Sequence, residues 1–329
     1  MQQSVVCGVD GSEAANDALA TANWLTPRIG ARLIVLHVAS KPANHPARAY
    51  GSYVIASEAA EERGQLVLAQ ALQRHDLPRQ IARRVELGDP AERLASTARD
   101  EDAALVVVGS PRSAPPRSAL LGGVSRRLVR SCDRPVVIVP RGAAVPGDGR
   151  AVESLICGVD DSEGSDRAVA AAAALAAELG LGLVIAHVYA PFPSAASIPA
   201  SSGALPVDAE RLEERARRRA IELLDRAEQA VSGKLSVRRR LASGDPASCL
   251  AVLAAHERAA IVVVGSRGHG AGKTALLGSV ASAVVGSAAI PIAIVTHEVE
   301  RVPRTSAAAE SRPGARSSAV RRVKSHDVA

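Results

Sequence analysis

The sequence predicts an α/β protein with two tandem doubly wound domains, and three observations support this fold class. The 329 residues suit about two domains. One unit is written twice along the chain. Each unit alternates short apolar runs with helical patterns, and runs such as Leu105–Val108 lack polar alternation, so both of their faces are buried. Parallel strands joined by right-handed helical crossovers give the doubly wound arrangement.

The internal repeat is visible in four short segments of the first half, which begin at residues 7, 33, 88 and 106. The first two recur 150 residues later and the last two 156 residues later. The closest match joins Cys7–Glu13 to Cys157–Glu163, which are identical at six of seven positions. A single change of offset places about six inserted or deleted residues in the loose segments after the second strand of each half.

The apolar and helical patterns assign five strands and four helices to each half. The expected strands are 4–9, 32–38, 82–87, 104–109, 136–139, 154–159, 182–188, 235–242, 260–265 and 292–295. The expected helices are 14–29, 58–75, 91–100, 118–131, 164–179, 208–231, 247–257 and 275–287. These elements place domain 1 at residues 1–141, a linker at 142–151 and domain 2 at 152–297. The basic tail 298–329 lacks periodicity, so we expect it to be disordered.

Composition and charge argue against several classes of protein. The net charge is +6, but residues 301–329 hold seven Arg or Lys against two acids, so the body is nearly neutral and nucleic acid is not an expected partner. The four cysteines show no C-x-x-C spacing, which argues against a zinc cluster or a redox dithiol. Cys7 and Cys157 fit small buried side chains. No secretory signal or membrane-spanning apolar run is present, so we expect a soluble cytoplasmic protein without a membrane partner.

A glycine-rich loop in the second half carries the clearest functional signal. Gly265-Ser266-Arg267-Gly268 follows a buried strand, and Gly278-Ser279 comes nine residues later, before a helix. Such a loop lets backbone N–H groups and a helix N-terminus approach a phosphate. Arg267, His269 and Lys273 add positive charge. The alternative is a flexible turn, but three glycines and a serine in this frame favour binding.

The first half holds an eroded copy of the same loop. It keeps Gly109 and Gly122, but Arg112 replaces the second glycine and Gly123 replaces the final serine. Pro111, Pro115 and Pro116 also remove N–H donors. Nucleotide binding is therefore in doubt there, although Arg112 or Arg117 offers a contact to phosphate.

Asp10 and Asp160 stand directly after the first strand of each half. Each fits either a helix cap or a ligand contact, and Ser12 and Ser162 are alternative caps. Asp160 can share a site with the glycine loop only if strands one and four are neighbours, which the residues alone do not establish. His37 and His187 close the second strands and fit structural roles.

Other motifs fail to match. The segment before Lys273-Thr274 misses a Walker loop by one residue, and there is no G-x-S-x-G elbow. No metal-spaced cluster and no general base stand out, so no catalytic residue or metal ligand is assigned.

Four motifs carry a resemblance to a known family: the G-V-D-x-S turn, the loop in which G-x-x-G is followed nine residues later by G-S, the two Gly-Asp-Pro segments, and the final strands that begin with Pro. The chain resembles the universal stress protein family in tandem form, over about residues 3–140 and 152–296. The resemblance implies a sheet order of 3-2-1-4-5 in each domain. It implies ATP, with AMP or cyclic AMP as alternatives, and allows Mg²⁺ beside it. It also implies pairing through the last strands, here Val136–Val139 and Ile292–Val295 within one chain, and allows a homodimer.

Carried over by motif, the resemblance gives domain 2 most of the site: Gly158, Asp160, Val188, Gly265, Ser266, Arg267, Gly268, His269, Gly270, Gly278, Ser279 and Val280. The weaker set of domain 1 is Gly8, Asp10, Val38, Gly109, Gly122 and Gly123.

We therefore expect a cytoplasmic ATP-binding stress-response protein that acts as a nucleotide-dependent sensor or regulator, with at most slow ATP hydrolysis. One alternative is a nucleotide-free scaffold. Another is an ATP-consuming enzyme of related fold, although the S-G-G-x-D-S and H-x-G-H motifs of such enzymes are missing. We expect Gly268→Ala to remove most ATP binding and Gly109→Ala to remove little.

Overall fold

The computed structural model of the chain describes residues 3–41, 50–77, 81–111, 122–149, 151–190, 206–231, 233, 235–266, 277–296 and 321–322. Domain 1 contains β1 Ser4–Val9, α1 Glu13–Arg28, β2 Arg32–Ala39, α2 Tyr50–Gln73, β3 Ile81–Leu87, α3 Pro90–Asp100, β4 Ala103–Ser110, α4 Gly123–Ser131 and β5 Val136–Pro140. Domain 2 contains β6 Ser154–Gly158, α5 Glu163–Leu179, β7 Gly182–Tyr189, α6 Pro206–Gln229, β8 Val237–Ser243, α7 Pro246–His256, β9 Ala259–Gly265, α8 Ser279–Ser287 and β10 Ile292–Val295. A two-residue strand β11, Arg321–Arg322, follows in the tail.

The strands form one continuous sheet in the order β11-β8-β7-β6-β9-β10-β5-β4-β1-β2-β3. Each domain therefore has the order 3-2-1-4-5, as the resemblance implied. Strands one and four are parallel neighbours in both domains, through β1–β4 and β6–β9. The carboxyl ends of these two strands thus meet at one edge of the sheet, which the residues alone had left open.

The two domains join through their last strands. β5 and β10 pair antiparallel, with Ile292 opposite Ile138 and Ile294 opposite Val136. This confirms the expected pairing within one chain. Because β5 and β10 are fully buried and use each other's edges, neither leaves an open edge at the centre of the sheet.

The core has two layers because alternate strand residues point to opposite faces of the sheet. Val5, Cys7 and Val9 pack with α1, α2, α5 and α6, whereas Val6 packs with α3, α4, α7 and α8. Alanine-rich helix faces bring the helices close to the sheet. Cys7 and Cys157 are fully buried, and burial raises the pKa of both thiols, in agreement with their expected role as small core side chains.

The repeated Gly-Asp-Pro segments begin α3 and α7. Asp89 accepts a hydrogen bond from the Glu92 N–H at 3.1 Å, and Asp245 accepts one from the Ser248 N–H at 2.8 Å. Pro follows each Asp in the first turn, where no N–H is needed. This segment is therefore a helix start.

The linker is packed and not free. Ala144 donates its N–H to the Ala289 carbonyl at 2.7 Å, and Gly142 donates to Asp17 Oδ2 at 2.7 Å. Ala143 and Val145 are buried. The linker thus contacts both domains.

Some expected boundaries were wrong. α2 begins at Tyr50, eight residues before the expected start, inside a segment that its Ala, Ser and Pro content had marked as loose. α8 begins at Ser279 and not at 275, because Gly278 has an extended backbone with ψ 153°. α4 begins at Gly123 for the same reason, after Gly122 with ψ 148°, and residues 118–121 lie outside the described part.

The tail was expected to be disordered, but Arg321 and Arg322 pair with Arg240 and Leu241 of β8. This differs from the expectation for these two residues, because β8 is an edge strand that offers unpaired backbone groups. The remainder of 298–329 lies outside the described residues.

Candidate functional site

The turn between β6 and α5 holds Asp160 in place. Asp160 Oδ1 accepts a hydrogen bond from the Ser162 N–H at 3.2 Å and another from the Ser162 hydroxyl. Ser162 Oγ in turn accepts from the Ser165 N–H at 3.3 Å and caps α5. Ser162 is therefore the helix cap, and Asp160 supports the cap through Oδ1.

The base of the glycine loop lies against the same turn. A Cβ on Gly265 would stand 2.7 Å from the Gly164 carbonyl oxygen, so only glycine lets the first turn of α5 approach the end of β9 this closely. Asp160 donates its N–H to Ser165 Oγ at 3.1 Å, and the Ser165 N–H stands 3.3 Å from the same Cβ position. The first turn of α5 therefore bonds the Asp160 turn on one side and packs against the start of the loop on the other.

Both ends of the glycine loop are fixed. Buried Ser266 donates its N–H to the Val295 carbonyl at 2.9 Å and accepts at its carbonyl from the Gly278 N–H at 2.8 Å. The loop therefore leaves and rejoins the sheet at one point. Arg267, Gly268, His269 and Gly270 lie outside the described residues.

The start of α8 lies at this edge, where the Gly278 N–H donates to the Ser266 carbonyl. Gly278 is the N-cap residue, and it makes no side-chain cap hydrogen bond. Ser279 and Val280 are exposed in the first turn. Uncapped N–H groups at a helix N-terminus, with the positive end of the helix dipole, suit a phosphate group.

Val188 lies near the carboxyl end of β7, half-buried, opposite Ala242 of β8. β6 stands between β7 and β9, so the strand order reverses at β6. In open α/β sheets this switch point is where ligands bind. The structure thus brings the described candidates of domain 2 to one edge: Gly158, Asp160, Val188, Gly265, Ser266, Gly278, Ser279 and Val280.

Gly158 has a packing role as well, since a Cβ there would meet Leu250 Cδ1 at 3.0 Å, and Gly8 meets Leu94 in the same way. His37 and His187 each contact the backbone, which agrees with the structural role expected for them. Their Nδ1 atoms lie 2.8 and 2.7 Å from the carbonyls of Val9 and Val159.

Domain 1 repeats this frame with its candidates Gly8, Asp10, Val38, Gly109, Gly122 and Gly123. Asp10 Oδ1 accepts from the Ser12 N–H at 2.9 Å, and Ser12 caps α1. A Cβ on Gly109 would stand 2.4 Å from the backbone of Ala14. Gly109 is therefore required for packing, and Gly109→Ala is a test of stability and not of binding, contrary to the use we expected for it.

Packing does not explain why domain 1 has Gly123 where domain 2 has Ser279. A Cβ on Gly123 meets no described atom within 4 Å, and Gly122 before it makes no side-chain cap hydrogen bond. Ser125 Oγ donates instead to the Gly109 carbonyl at 3.2 Å.

Sequence reasoning missed two residues of the domain 2 turn. Ser165 bonds the Asp160 N–H, and Asp161 forms an ion pair with Arg226 of α6 at 2.5 Å. The available signal was that both differ from their domain 1 counterparts, Ala15 and Gly11.

In the described part of the chain, no three His, Cys, Asp or Glu side chains cluster as metal ligands. No described helix combines the length and apolar character needed to cross a membrane.

Comparison with known proteins agrees with this geometry. The family model of the universal stress protein family matches residues 1–140 and 152–296. A universal stress protein of Mycolicibacterium smegmatis is 29% identical over 297 residues, which cover 89% of this chain and 97% of that protein. The universal stress protein in the QAH/OAS sulfhydrylase 3′ region of Thermus aquaticus is 33% identical over 142 residues, 42% of this chain and 99% of its own length.

A solved structure shows the same fold. The crystal structure of a universal stress protein from Archaeoglobus fulgidus DSM 4304 has a TM-score of 0.59 and 20% identity, and it covers 89% of this chain and 98% of its own. The two segments that the family model matches are the two five-stranded halves of the sheet, each with its Asp turn and loop. The chain therefore belongs to the universal stress protein family, with two tandem domains.

Proposed function

We propose that this protein is a cytoplasmic ATP-binding stress-response protein, a nucleotide-dependent sensor or regulator that holds ATP mainly in domain 2. The observation that carries the proposal is that the first turn of α5 joins the Asp160 turn to the base of the glycine loop at the switch point. A fixed carboxylate and uncapped helix donors then lie at the same edge, as a nucleotide requires.

Each part of the site has a chemical role in the proposal. The Asp160 carboxylate accepts hydrogen bonds from ribose hydroxyls or from the adenine amino group. Val188 packs against the base. The loop residues Arg267, Gly268, His269 and Gly270, with the N–H groups and hydroxyl of Ser279, hold the phosphates. Mg²⁺ would accompany the phosphates, and we propose no protein side chain as its ligand.

Domain 1 is the weaker binder in this proposal. It keeps the carboxylate of Asp10 and the uncapped start of α4, but Arg112 and three prolines stand in the loop and Gly123 lacks a hydroxyl. Proline removes N–H donors where phosphate needs them.

We expect at most slow ATP hydrolysis, because no sequence motif of a general base stands out. Asp160 itself already accepts two hydrogen bonds through Oδ1. A regulator needs a bound nucleotide and a surface that responds to it, and it needs no catalytic base.

The proposal is tested with Asp160→Ala and its matched control Asp10→Ala, using competition binding against a fluorescent ATP analogue. Both variants lose an Asp oxygen that accepts the N–H of a capping serine, and unfolding midpoints measured in parallel correct for the larger stability cost expected at half-buried Asp160. We expect Asp160→Ala to weaken ATP at least tenfold and Asp10→Ala to leave it within about twofold. Mass spectrometry of ligand released from the denatured protein identifies the nucleotide. If the wild-type protein binds no adenine nucleotide, the proposal is wrong and a nucleotide-free scaffold replaces it.

A further inference from the structure

The two domains build their Asp turns differently. Asp160 is half-buried, and its carboxylate and its backbone N–H are both bonded, to Ser162 and Ser165. Asp10 is exposed, and within the described residues its side chain accepts only the Ser12 N–H. This difference is independent of the glycine loop.

Ser165 is the centre of the domain 2 arrangement. It is 4% exposed, its Oγ accepts the Asp160 N–H at 3.1 Å and its N–H donates to Ser162 Oγ at 3.3 Å. Its backbone also lies against Gly265 at the base of the loop. One buried hydroxyl thus ties the turn to the first turn of α5, and the counterpart in domain 1 is Ala15, which has no hydroxyl.

The backbone of the turn differs in the same sense. Gly11 of domain 1 has φ +84°, a conformation that favours glycine. Its counterpart Asp161 is absent from the described non-glycine residues with positive φ, and it pairs with Arg226 of α6. The domain 2 turn is therefore a different conformation with additional anchors.

We propose that Ser165 is a positioning residue that fixes Asp160 before a nucleotide arrives, and that it strengthens binding at the nucleoside end of the ligand. This rests on the proposed function. A group already held in its bound geometry loses less conformational freedom when the ligand binds. Because the Ser165 hydroxyl bonds Asp160 and not the phosphate-facing donors, we expect it to strengthen the contacts to the ribose and base and not those to the phosphates.

The test is Ser165→Ala, with Ser154→Ala as the matched control. Ser154 is also buried in domain 2, and its Oγ donates to the Glu257 carbonyl at 2.8 Å, at the opposite edge of the sheet. Each variant therefore loses one buried serine hydrogen bond. Calorimetric titration with AMP, ADP and ATP should show Ser165→Ala weakening all three by a similar factor, roughly five- to tenfold. Ser154→Ala should weaken none.

A purely structural role makes a different pattern. If Ser165→Ala binds all three nucleotides as the wild type does, or if Ser154→Ala weakens them equally, the inference is wrong. A loss that grows with the number of phosphates would assign Ser165 to the phosphate end and would overturn it too.

A second measurement needs no ligand. Hydrogen exchange of the Asp160 amide in the nucleotide-free protein should be at least about tenfold faster in Ser165→Ala than in the wild type, because the amide loses its acceptor. Unchanged exchange contradicts the inference. A wild-type protein that protects this amide but binds no nucleotide refutes the proposed function while the positioning contact itself stands.

Discussion

Single residues explain why the strand-end glycines are present. Gly109 and Gly265 let the first turn of a helix lie against the end of a strand, since a Cβ would stand 2.4 Å from Ala14 or 2.7 Å from Gly164. The spacing of these glycines predicted a phosphate loop, and the structure adds that their first member is a packing residue. That role depends on a contact between segments far apart in sequence, so no local pattern could reveal it.

We therefore predict that Gly109→Ala and Gly265→Ala each destabilise the protein by about 1–3 kcal/mol, the usual cost of overpacking. Urea unfolding followed by circular dichroism measures this. Gly123→Ser is the control, because its Cβ meets no described atom within 4 Å, and it should leave the midpoint unchanged. A neutral Gly265→Ala would show that the helix start moves aside freely.

Glu178 of α5 gives a prediction about pH. Burial raises the pKa of its carboxyl to about 7 from an ordinary 4.5, and in the described structure its Oε2 is buried without a hydrogen-bond partner. The folded state then holds a proton that the unfolded state has released, so stability falls as pH rises from about 4.5 to about 7. Glu178→Gln should remove this fall, with unfolding temperatures close to wild type at pH 5 and higher at pH 8. Parallel pH profiles for the two proteins would contradict it.

At the scale of elements, the third helix of each domain is followed directly by a glutamate that pairs with two arginines. Glu257 is bound by buried Arg240 at 2.6 Å and by Arg238 at 2.9 Å. Its counterpart Glu101 pairs with Arg32 and Arg84. The side chain of Glu257 is 1% exposed and that of Glu101 is 17% exposed. The glutamate of the ion-paired group is therefore buried in domain 2 and partly solvated in domain 1.

This difference predicts unequal costs. Glu257→Gln should destabilise the protein by about 3–5 kcal/mol, because it leaves the buried Arg240 charge without a carboxylate. Glu101→Gln should cost no more than about 1 kcal/mol, since its arginines reach water. Chemical denaturation of both variants measures the two costs, and equal costs would show that burial does not decide the strength of these clusters.

The strands were predicted well because their buried apolar runs are a local signal. The starts of α2, α4 and α8 were predicted poorly, because each depends on the backbone conformation of the preceding loop. The repeat Gly-Asp-Pro was read as part of the resemblance, and the structure explains it as a cap with proline in the first turn. Ser165 escaped prediction because, although its difference from Ala15 of domain 1 marks the position, the buried hydrogen bond to an N–H five residues earlier is visible only in the structure.

At the scale of the whole molecule, the two domains share one sheet. The strand order came from the family resemblance and not from the residues, because strand adjacency is a long-range property. Between the two domains, buried Thr296 donates its Oγ1 hydrogen to the Cys132 carbonyl at 3.1 Å. Thr296 follows β10 directly, and Cys132 ends α4, so the contact joins the two domains beside the β5–β10 pair.

Thr296→Val should therefore destabilise both domains together, by about 1–3 kcal/mol, since the Cys132 carbonyl loses its buried donor. Trp24, the single tryptophan, lies in domain 1 and reports its unfolding by fluorescence. We expect this signal to shift although the change is in domain 2. Thr26→Val is a control for the loss of a threonine hydroxyl bond inside one domain, because Thr26 donates to the Ala22 carbonyl of the same helix, α1. An unshifted Trp24 transition would show that the domains unfold independently.

The central claim is that one of the two similar domains holds the nucleotide, and the stoichiometry of ATP binding tests it most directly. Calorimetric titration of the full chain should give about one tight site per chain, which disappears in Asp160→Ala and persists in Asp10→Ala. Two equal sites, a site that depends on Asp10, or no binding heat would contradict this account.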